Sequence, residues 1–386
     1  MWWQLATTVV FVALLIGLAF TGYRASRLIT GGGTKAVTDP DAPGYVAEVR
    51  PTPVDLVAIT TDAGALAGVL IVSGAGADSG GTVSALPATF SAGPGESGTY
   101  PQIADAYASG GLDELRTVLG TGLTFGFTSA EEVTAADLTA LAGLAGPLTV
   151  KNVDNLIDSP DRGVIGMDPS KETVRYRAGE VVLQPGDVAG FLAFAGIGEE
   201  ADRQMLRHMA VWQELLTVLK GKDLSKLGDQ DPNGGLSAVV EMFGDLEGGE
   251  IVYEPVPVVQ ETIPGTVFTA VMPDVAALPG YVAKVAPFPT SATPGQRARV
   301  ELLNGTSSDD ATLLAAPKIV AAGGEISLLG NADSFDKPAT EVQYMAPEAK
   351  DAADAIATAL GVTATTTTSE SGGIDVRVIV GGDRTS

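Results

Sequence analysis

The sequence predicts a chain of the α/β (α+β) class in three parts: a membrane anchor, a mixed α/β domain and a small C-terminal βαββαβ domain. The chain of 386 residues opens with an uncharged stretch, continues with short apolar runs that alternate with helical periodicity, and closes with a regular order of strands and helices. With 45% hydrophobic residues it can build real cores, and its length favours two or three domains.

The first segment, residues 1–30, is predicted to be an uncleaved transmembrane anchor. No residue from Trp2 to Gly22 is charged, and a helix of that length spans about 31 Å, the hydrocarbon thickness of a bilayer. A cleavable signal peptide would begin with a basic region, and a buried core helix of this length would not be apolar on every face. Because Arg24, Arg27 and Lys35 all follow the span, the charge count alone would place the rest of the chain in the cytoplasm.

Residues 31–51 are rich in Gly and Pro and are predicted to form a linker. A domain is predicted over 52–290, with strands at 55–60, 67–72 and 81–86 and helices at 101–119, 134–144 and 199–219. The last of these gives the longest helix signal in the chain. One stripe along it is apolar, which is typical of a helix packed on a core: Met205, Met209, Trp212, Leu215, Leu216 and Leu219. Residues 251–295 become Pro-rich and are predicted to end in a second linker.

The C-terminal domain, residues 296–386, has the most regular periodicity. Strands are predicted at 297–303, 325–329, 340–344 and 374–380, and helices at 309–322 and 347–360. Pro347 begins the second helix and Gly361 lies just beyond its end, as those residue types prefer. The order βαββαβ predicts a four-stranded sheet covered by two helices on one face. No titratable side chains cluster here, so the architecture indicates binding or assembly.

The composition excludes several classes of function. The chain carries 23 Lys+Arg against 47 Asp+Glu, a net charge of −24, and no run of basic residues interrupts this balance, which argues against nucleic-acid binding. The absence of cysteine excludes disulfides, thiolate metal sites and cysteine nucleophiles. With a single histidine, the chain has few residues suited to acid–base chemistry.

Two regions resemble the LytR-CpsA-Psr (LCP) family. The tail, from VELLNG at 300–305 through GNA at 330–332 to the strand IDVRVIV, is similar to the C-terminal domain of LytR-type members. The segments at 103–111, 136–154, 177–194 and 202–216 resemble parts of the LCP domain itself. The resemblance implies one N-terminal span with the bulk of the chain outside the membrane. It also implies transfer of a glycopolymer from a polyprenyl-pyrophosphate carrier to peptidoglycan, with arginines and aspartates that hold the pyrophosphate and a divalent metal.

Most positions that would carry this chemistry are replaced. Where the family has an Arg-Asp pair after the first strand, this chain has Thr61-Asp62; where it has Pro-Arg-Asp, this chain has Pro87-Ala88-Thr89; and the later arginine pair falls on Gly196 and Gly198. A pyrophosphate leaving group needs guanidinium groups or Mg²⁺ to neutralise its charge. We therefore expect little transferase activity, no metal site and no cofactor, with Mg²⁺ required only if the chain is an active transferase.

Four residues remain as candidates for phosphate binding: Asp62, Asp202, Arg203 and Arg207. Arg203 and Arg207 are i,i+4 neighbours, but such a pair more often forms a solvated helix face paired with Glu199 or Glu200. Asp62 directly follows a strand, where ligands often bind, although Asp is also an ordinary turn residue.

Other conspicuous residues are assigned structural roles. Arg175 and Arg177 alternate along a strand and are expected in surface ion pairs, and His208 is expected to be structural or exposed. Four phenylalanines could line a lipid pocket, but core packing is the better expectation for all of them: Phe125, Phe127, Phe191 and Phe194.

The sequence thus predicts a membrane-anchored protein of the cell envelope that is not catalytic. Its expected partners are the membrane and either cell-wall glycan, a polyprenyl-linked precursor or an envelope protein, with no nucleic acid. The alternative is an active glycopolymer transferase whose site uses unfamiliar residues. A transcription regulator fits poorly with an anchored chain of charge −24.

Overall fold

The computed structural model describes residues 37–74, 80–95, 99–161, 168–228, 234–263, 269–308, 310–368 and 372–384. Its contacts divide the chain into two units. The central unit is Pro51–Arg297, and the C-terminal unit combines the described residues of Met1–Arg50 with those of Ala298–Ser386. The predicted anchor lies outside the described residues. Of the helices that are described, none is both long and apolar enough to cross a membrane.

Strands and helices are numbered here in chain order. The strands are β1 (Val46–Glu48), β2 (Val54–Thr60), β3 (Leu66–Gly74), β4 (Gly80–Pro87), β5 (Ser129–Val133), β6 (Leu148–Asn152), β7 (Leu156–Asp158), β8 (Thr173–Tyr176), β9 (Gly179–Leu183), β10 (Glu250–Tyr253), β11 (Val258–Thr262), β12 (Thr269–Pro273), β13 (Ala298–Asn304), β14 (Gly324–Asn331), β15 (Glu341–Tyr344), β16 (Ala364–Thr366) and β17 (Val376–Val380). The helices are α1 (Ile103–Leu123), α2 (Ala135–Ala145), α3 (Val188–Ala193), α4 (Ala201–Leu219), α5 (Ser225–Gly228), α6 (Gly235–Glu247), α7 (Leu278–Val285), α8 (Asp310–Ala321) and α9 (Lys350–Leu360).

A five-stranded mixed sheet in the order β10-β4-β3-β2-β5 organises the central unit. The three strands predicted from the apolar runs are its middle strands, and they pair antiparallel, whereas β5 and β10 add at the edges in parallel. β3 is buried along almost its whole length, so both of its faces are covered. That explains why its sequence is a continuous apolar run rather than an alternating one.

Helix α4 confirms the predicted core stripe. Met205, Trp212, Leu215, Leu216 and Leu219 are buried, and Met209 packs against the same core from a partly buried position. The buried face of α4 is wider than that stripe, because the helix contacts β4 and β6 as well as α2 and α3. This second covered face buries polar residues as well.

Two other predicted helices form, one of them with a break. Thr134 caps α2 through a hydrogen bond from the Asp137 backbone N–H to its hydroxyl, as the sequence pattern predicts. α1 has 21 residues against the 19 of α4, but it is interrupted at Gly111, whose φ of 65° and ψ of −149° are not helical. Among the described residues, the longest uninterrupted helix is therefore α4, as expected.

The C-terminal unit contains the predicted βαββαβ order. Its sheet has the order β1-β14-β13-β17-β15-β16, so the four predicted strands are the middle ones. α8 and α9 contact each other and pack on the sheet, and Gly361 closes α9 in the left-handed conformation. Short strands that were not predicted, β1 and β16, extend the sheet at both edges.

The structure differs from the predicted linker at 31–51, and it adds elements that were not predicted in the Pro-rich region whose end was predicted to be a second linker. Within residues 31–51, β1 forms and pairs with β14. The Pro-rich region 251–295 contains β10, the β11–β12 hairpin and α7. Strands of three to five residues between prolines carry too little periodicity to be found from sequence.

Candidate functional site

The first turns of α4 and the loop before it form the region where the resemblance would place a phosphate site. Arg207 points into this region and is fully buried, with 1% of its side chain exposed. Its Nε donates to Glu199 Oε1 over 2.9 Å and its Nη2 to Glu199 Oε2 over 3.1 Å. Nη1 donates to the carbonyl of Phe191, and Nη2 also donates to the carbonyl of Phe194. Every guanidinium nitrogen of Arg207 is thus already used.

The side chain of Glu199 is nearly as buried as that of its partner, with 4% exposed. Its Oε2 also accepts from the backbone N–H of Gly196 over 2.8 Å. The Arg207 guanidinium carbon lies 5.0 Å from the Phe191 ring centroid. A bidentate pair of this kind, with its remaining donors on carbonyls, is a closed and electrically neutral unit. The expected solvated face is therefore wrong for Arg207, although its partner is one of the two glutamates named from sequence.

His208, the next residue, is structural and fully buried. Its Nε2 lies 2.9 Å from the carbonyl oxygen of Leu192, which requires the proton to be on that nitrogen. Burial, together with the charge of neighbouring Arg207, lowers the pKa of His208 to about 3. A Cβ on Gly68 would lie 2.6 Å from His208 Cε1, so α4 and β3 pack tightly here and a side chain at position 68 would clash with the ring. The ring is a neutral packing element at this contact.

The other three candidates take no part in this closed pair. Arg203 is partly exposed, and its guanidinium makes no ion pair or hydrogen bond with any described residue. Asp202 Oδ1 accepts from the Arg203 backbone N–H over 2.8 Å and lies 3.5 Å from Gln260 Nε2. Asp62 is exposed in the β2–β3 turn and forms no ion pair within the described ranges. Arg203 is thus the one candidate cation that stays available to a ligand.

Neutral groups occupy the positions where the resemblance would put charge. The hydroxyl of Thr89 donates to Gln204 Oε1 over 2.6 Å, and Gln204 is buried. Gly196 and Gly198 form the turn that precedes α4, and Gly198 has a φ of 74°. Sequence reasoning missed Gln204 because the apolar stripe of α4 does not include it.

The aromatic residues confirm the core assignment. Phe125, Phe127 and Phe191 are buried, and Phe194 packs against the core of the central unit. Tyr176 stacks edge-on against Phe191 and Phe194, with ring centroids 4.8 and 5.9 Å apart. On the outer side of this cluster, Arg175 lies 5.4 Å from the Phe194 centroid and pairs with Asp158 at the surface over 3.6 Å, as expected.

Two clefts occur away from the candidate residues. The cleft in the central unit, about 290 Å³, lies between β2, β5 and α6 and contains four carboxylates, which would repel a phosphate: Asp55, Glu131, Glu241 and Asp245. The cleft in the C-terminal unit, about 360 Å³, is lined by aliphatic side chains together with Lys318, Thr340 and Asp383. No group of three or more carboxylate or imidazole side chains in the described parts of the chain is arranged to hold a metal ion.

Several solved structures are similar to this chain at low sequence identity. The protein gbs0355 from Streptococcus agalactiae is 15% identical, with a TM-score of 0.45, over 61% of this chain and 86% of that one. A LytR-Csp2A-Psr enzyme from Actinomyces oris is 15% identical, with a TM-score of 0.41, over 59% and 91%. TagT bound to LIIa-WTA is 14% identical, with a TM-score of 0.42, over 64% and 90%. No curated protein matches the chain.

The C-terminal segment matches a protein family directly. The family described as LytR cell envelope-related transcriptional attenuator matches residues 297–383. These residues include β13 to β17 together with α8 and α9, so the similarity to the C-terminal domain of LytR-type proteins, predicted from sequence, is confirmed. Residues 297–383 are therefore similar to the LytR C-terminal domain family.

Proposed function

We propose that this protein works at the cell envelope as a non-catalytic binding protein of the LytR-CpsA-Psr type. Its ligand would be cell-wall glycan, a polyprenyl-linked precursor or a partner protein. The match of residues 297–383 to a cell envelope-related family supports the location, as do the uncharged stretch Trp2–Gly22 and the resemblance of the central segments to the LCP domain.

The buried Glu199–Arg207 pair is the observation that carries the non-catalytic part of the proposal. Transfer from a pyrophosphate carrier requires cations that face the leaving group, because charge accumulates there in the transition state. The charge of Arg207 is neutralised by Glu199, and its guanidinium also donates hydrogen bonds to two backbone carbonyls. With glycine at 196 and 198, Arg203 is the candidate arginine that remains available to contact a phosphate. The loss of one such electrostatic contact already costs about 3 kcal/mol, or roughly two orders of magnitude in rate.

A transfer assay tests this proposal. The full chain in detergent is given a polyprenyl-pyrophosphate-linked glycan and peptidoglycan, with and without Mg²⁺, and we expect no transfer above the protein-free rate. The Arg203→Ala variant is the informative comparison. Its matched control is Lys350→Ala, which removes an exposed cation from the C-terminal unit. Mg²⁺-dependent transfer that is lost in Arg203→Ala and kept in Lys350→Ala would establish the alternative, an active transferase.

Binding is tested separately from transfer. The same detergent-solubilised chain is sedimented with isolated cell walls and floated with vesicles that carry the polyprenyl-linked glycan. In a third arm, the chain expressed in cells is crosslinked to its neighbours. We expect saturable association in at least one of these three arms. If Arg203 contributes an anion contact, Arg203→Ala weakens association with the phosphate-bearing ligand, whereas Lys350→Ala leaves that association unchanged. No saturable association in any arm would contradict the proposal.

A further inference from the structure

The outer edge of β14 in the C-terminal unit is covered by a segment from the opposite end of the chain. This segment, residues 39–49, is called the strap. Its strand β1 runs antiparallel to β14, with Val46 opposite Gly330 and Glu48 opposite Leu328. An uncovered strand edge presents unpaired N–H and C=O groups that invite another strand. The matched family region, 297–383, includes β14 but not the strap.

Hydrogen bonds fasten the strap along most of its length. The N–H of Gly44 donates to the carbonyl of Ala332 over 2.9 Å, and the N–H of Asn331 donates to the carbonyl of Tyr45 over 2.7 Å. At the other end, the N–H of Val49 donates to the carbonyl of Ser327 over 3.0 Å. The Asn331 side-chain amide adds two bonds, to the carbonyls of Pro40 over 2.7 Å and Ala42 over 2.9 Å. Asn331 therefore bonds the strap before the strand itself begins.

Gly330 shows that this edge is shaped for a strand. A Cβ at this position would lie 2.0 Å from the carbonyl oxygen of Tyr45 and 2.8 Å from the Val46 Cα. Its three nearest neighbours are all strap backbone atoms. Any side chain at position 330 would therefore exclude the strap while leaving the remainder of the sheet free of that clash.

The strap is held by its backbone rather than by apolar burial. Val46 is 40% exposed and Glu48 is exposed, whereas Tyr45 and Ala47 are half-buried. Strand addition of this kind draws its affinity from main-chain hydrogen bonds. The β14 edge thus binds an extended backbone segment, and that segment lies so close to Gly330 that position 330 has no space for a side chain.

We propose that the β14 edge is a strand-acceptor site and that its ligand is the strap of the same chain. The C-terminal domain is then complete only when the strap is paired with β14. Sixteen residues, 23–38, separate the predicted membrane span from the strap. At about 3.5 Å per residue they reach at most about 55 Å, so the acceptor site keeps the C-terminal unit within that distance of the membrane surface. This inference does not depend on whether the central unit is catalytic.

Because the chain has no cysteine, a designed disulfide tests the pairing cleanly. The bonds at Tyr45–Asn331 and Val49–Ser327 place Glu48 and Leu328 at a non-hydrogen-bonded position, where Cα atoms lie about 4.5 Å apart and a disulfide can form. In the full chain, Glu48→Cys with Leu328→Cys should give an intrachain disulfide. The control, Glu48→Cys with Leu313→Cys on the exposed face of α8, should give none. Absence of the first disulfide, or its formation only between chains, would overturn the proposal.

Amide hydrogen exchange in two glycine-to-alanine variants provides an independent test. Gly330→Ala should release the strap, so amides 44–49 should exchange at least about ten-fold faster, whereas β13 and β17 stay protected. The matched control is Gly372→Ala, because a Cβ at Gly372 meets nothing within 4 Å. Unchanged exchange of the strap in Gly330→Ala would contradict the proposal. If that variant fails to fold, the disulfide experiment still decides.

Discussion

The buried pair of Glu199 and Arg207 sets the energetics of the candidate site. We expect Glu199→Gln to destabilise the central unit by about 3–5 kcal/mol, because it leaves a buried guanidinium without its counter-charge. The matched control is Lys284→Met, which breaks the exposed Lys284–Glu254 pair and should cost at most about 1 kcal/mol. Trp212 fluorescence during urea unfolding reports on this unit. Equal effects of the two variants would show that the buried pair is not the stabilising contact.

His208 makes the stability of the central unit depend on pH. Its pKa falls from 6.5 to about 3 on folding, so between these values the unfolded chain binds more protons than the folded one. Stability is fully present above pH 6.5 and falls as pH decreases toward 3, by at most about 1.4 kcal/mol per pH unit. Between pH 6.5 and 5 most carboxylates remain ionised, so His208 should dominate the slope there.

The His208→Gln variant isolates this contribution. Its glutamine does not titrate, so the unfolding free energy should become nearly flat between pH 6.5 and 5 while the wild-type value declines. Urea titrations at several pH values, followed by Trp212 fluorescence, measure both slopes. Parallel slopes in the two proteins would assign the acid sensitivity to other groups.

At the scale of elements, the break in α1 depends on one glycine. Gly111 has a φ of 65° and a ψ of −149°, a region essentially restricted to glycine, so Gly111→Ala should destabilise by about 1–3 kcal/mol. In α2, Gly143 has an ordinary φ, and a Cβ there meets nothing within 4 Å. Gly143→Ala should therefore stabilise by about 0.5–1 kcal/mol. In thermal unfolding, the midpoint temperature should fall in Gly111→Ala and rise in Gly143→Ala. A higher midpoint temperature in Gly111→Ala would mean that α1 straightens.

Elements with their own periodicity could be predicted from the sequence, and elements defined by a distant partner could not. The continuous apolar run of β3 and the Pro347 and Gly361 boundaries of the last helix are local signals, so both elements were found. β1 has three residues and pairs with a strand about 280 positions later. No local pattern records such a pairing, so its segment was interpreted as a linker.

The candidate site was predictable in composition but not in geometry. The resemblance alone identifies three positions at which a charged side chain would be expected and a neutral residue is present: Thr89, Gly196 and Gly198. The burial of Arg207 could not, because a single apolar stripe on α4 implied that the arginine faced solvent. Both sides of α4 are covered, and the second side is lined by polar residues that satisfy one another: Gln204 with Thr89, and Arg207 with Glu199.

At the scale of the whole molecule, the proposed location makes a prediction about topology. The positive residues after Trp2–Gly22 favour a cytoplasmic C-terminus, whereas the family resemblance favours an external one. We expect an alkaline phosphatase fused after Ser386, active only outside the cytoplasm, to be active in cells. The control is the same fusion lacking residues 1–30, which should be inactive. Activity of a cytoplasm-restricted reporter at the same position would overturn the proposed location.

The joining of the strap to β14 also imposes an order on biosynthesis. About 280 residues separate Glu48 from Leu328, and at about 5–20 residues per second the ribosome needs roughly 15–55 s to produce them. Throughout that interval β1 has no partner strand. The central unit, encoded entirely between the two, can complete its own core in the meantime. The pairing of β1 with β14 thus completes one edge of a sheet whose first strand was made before any other described element of the chain.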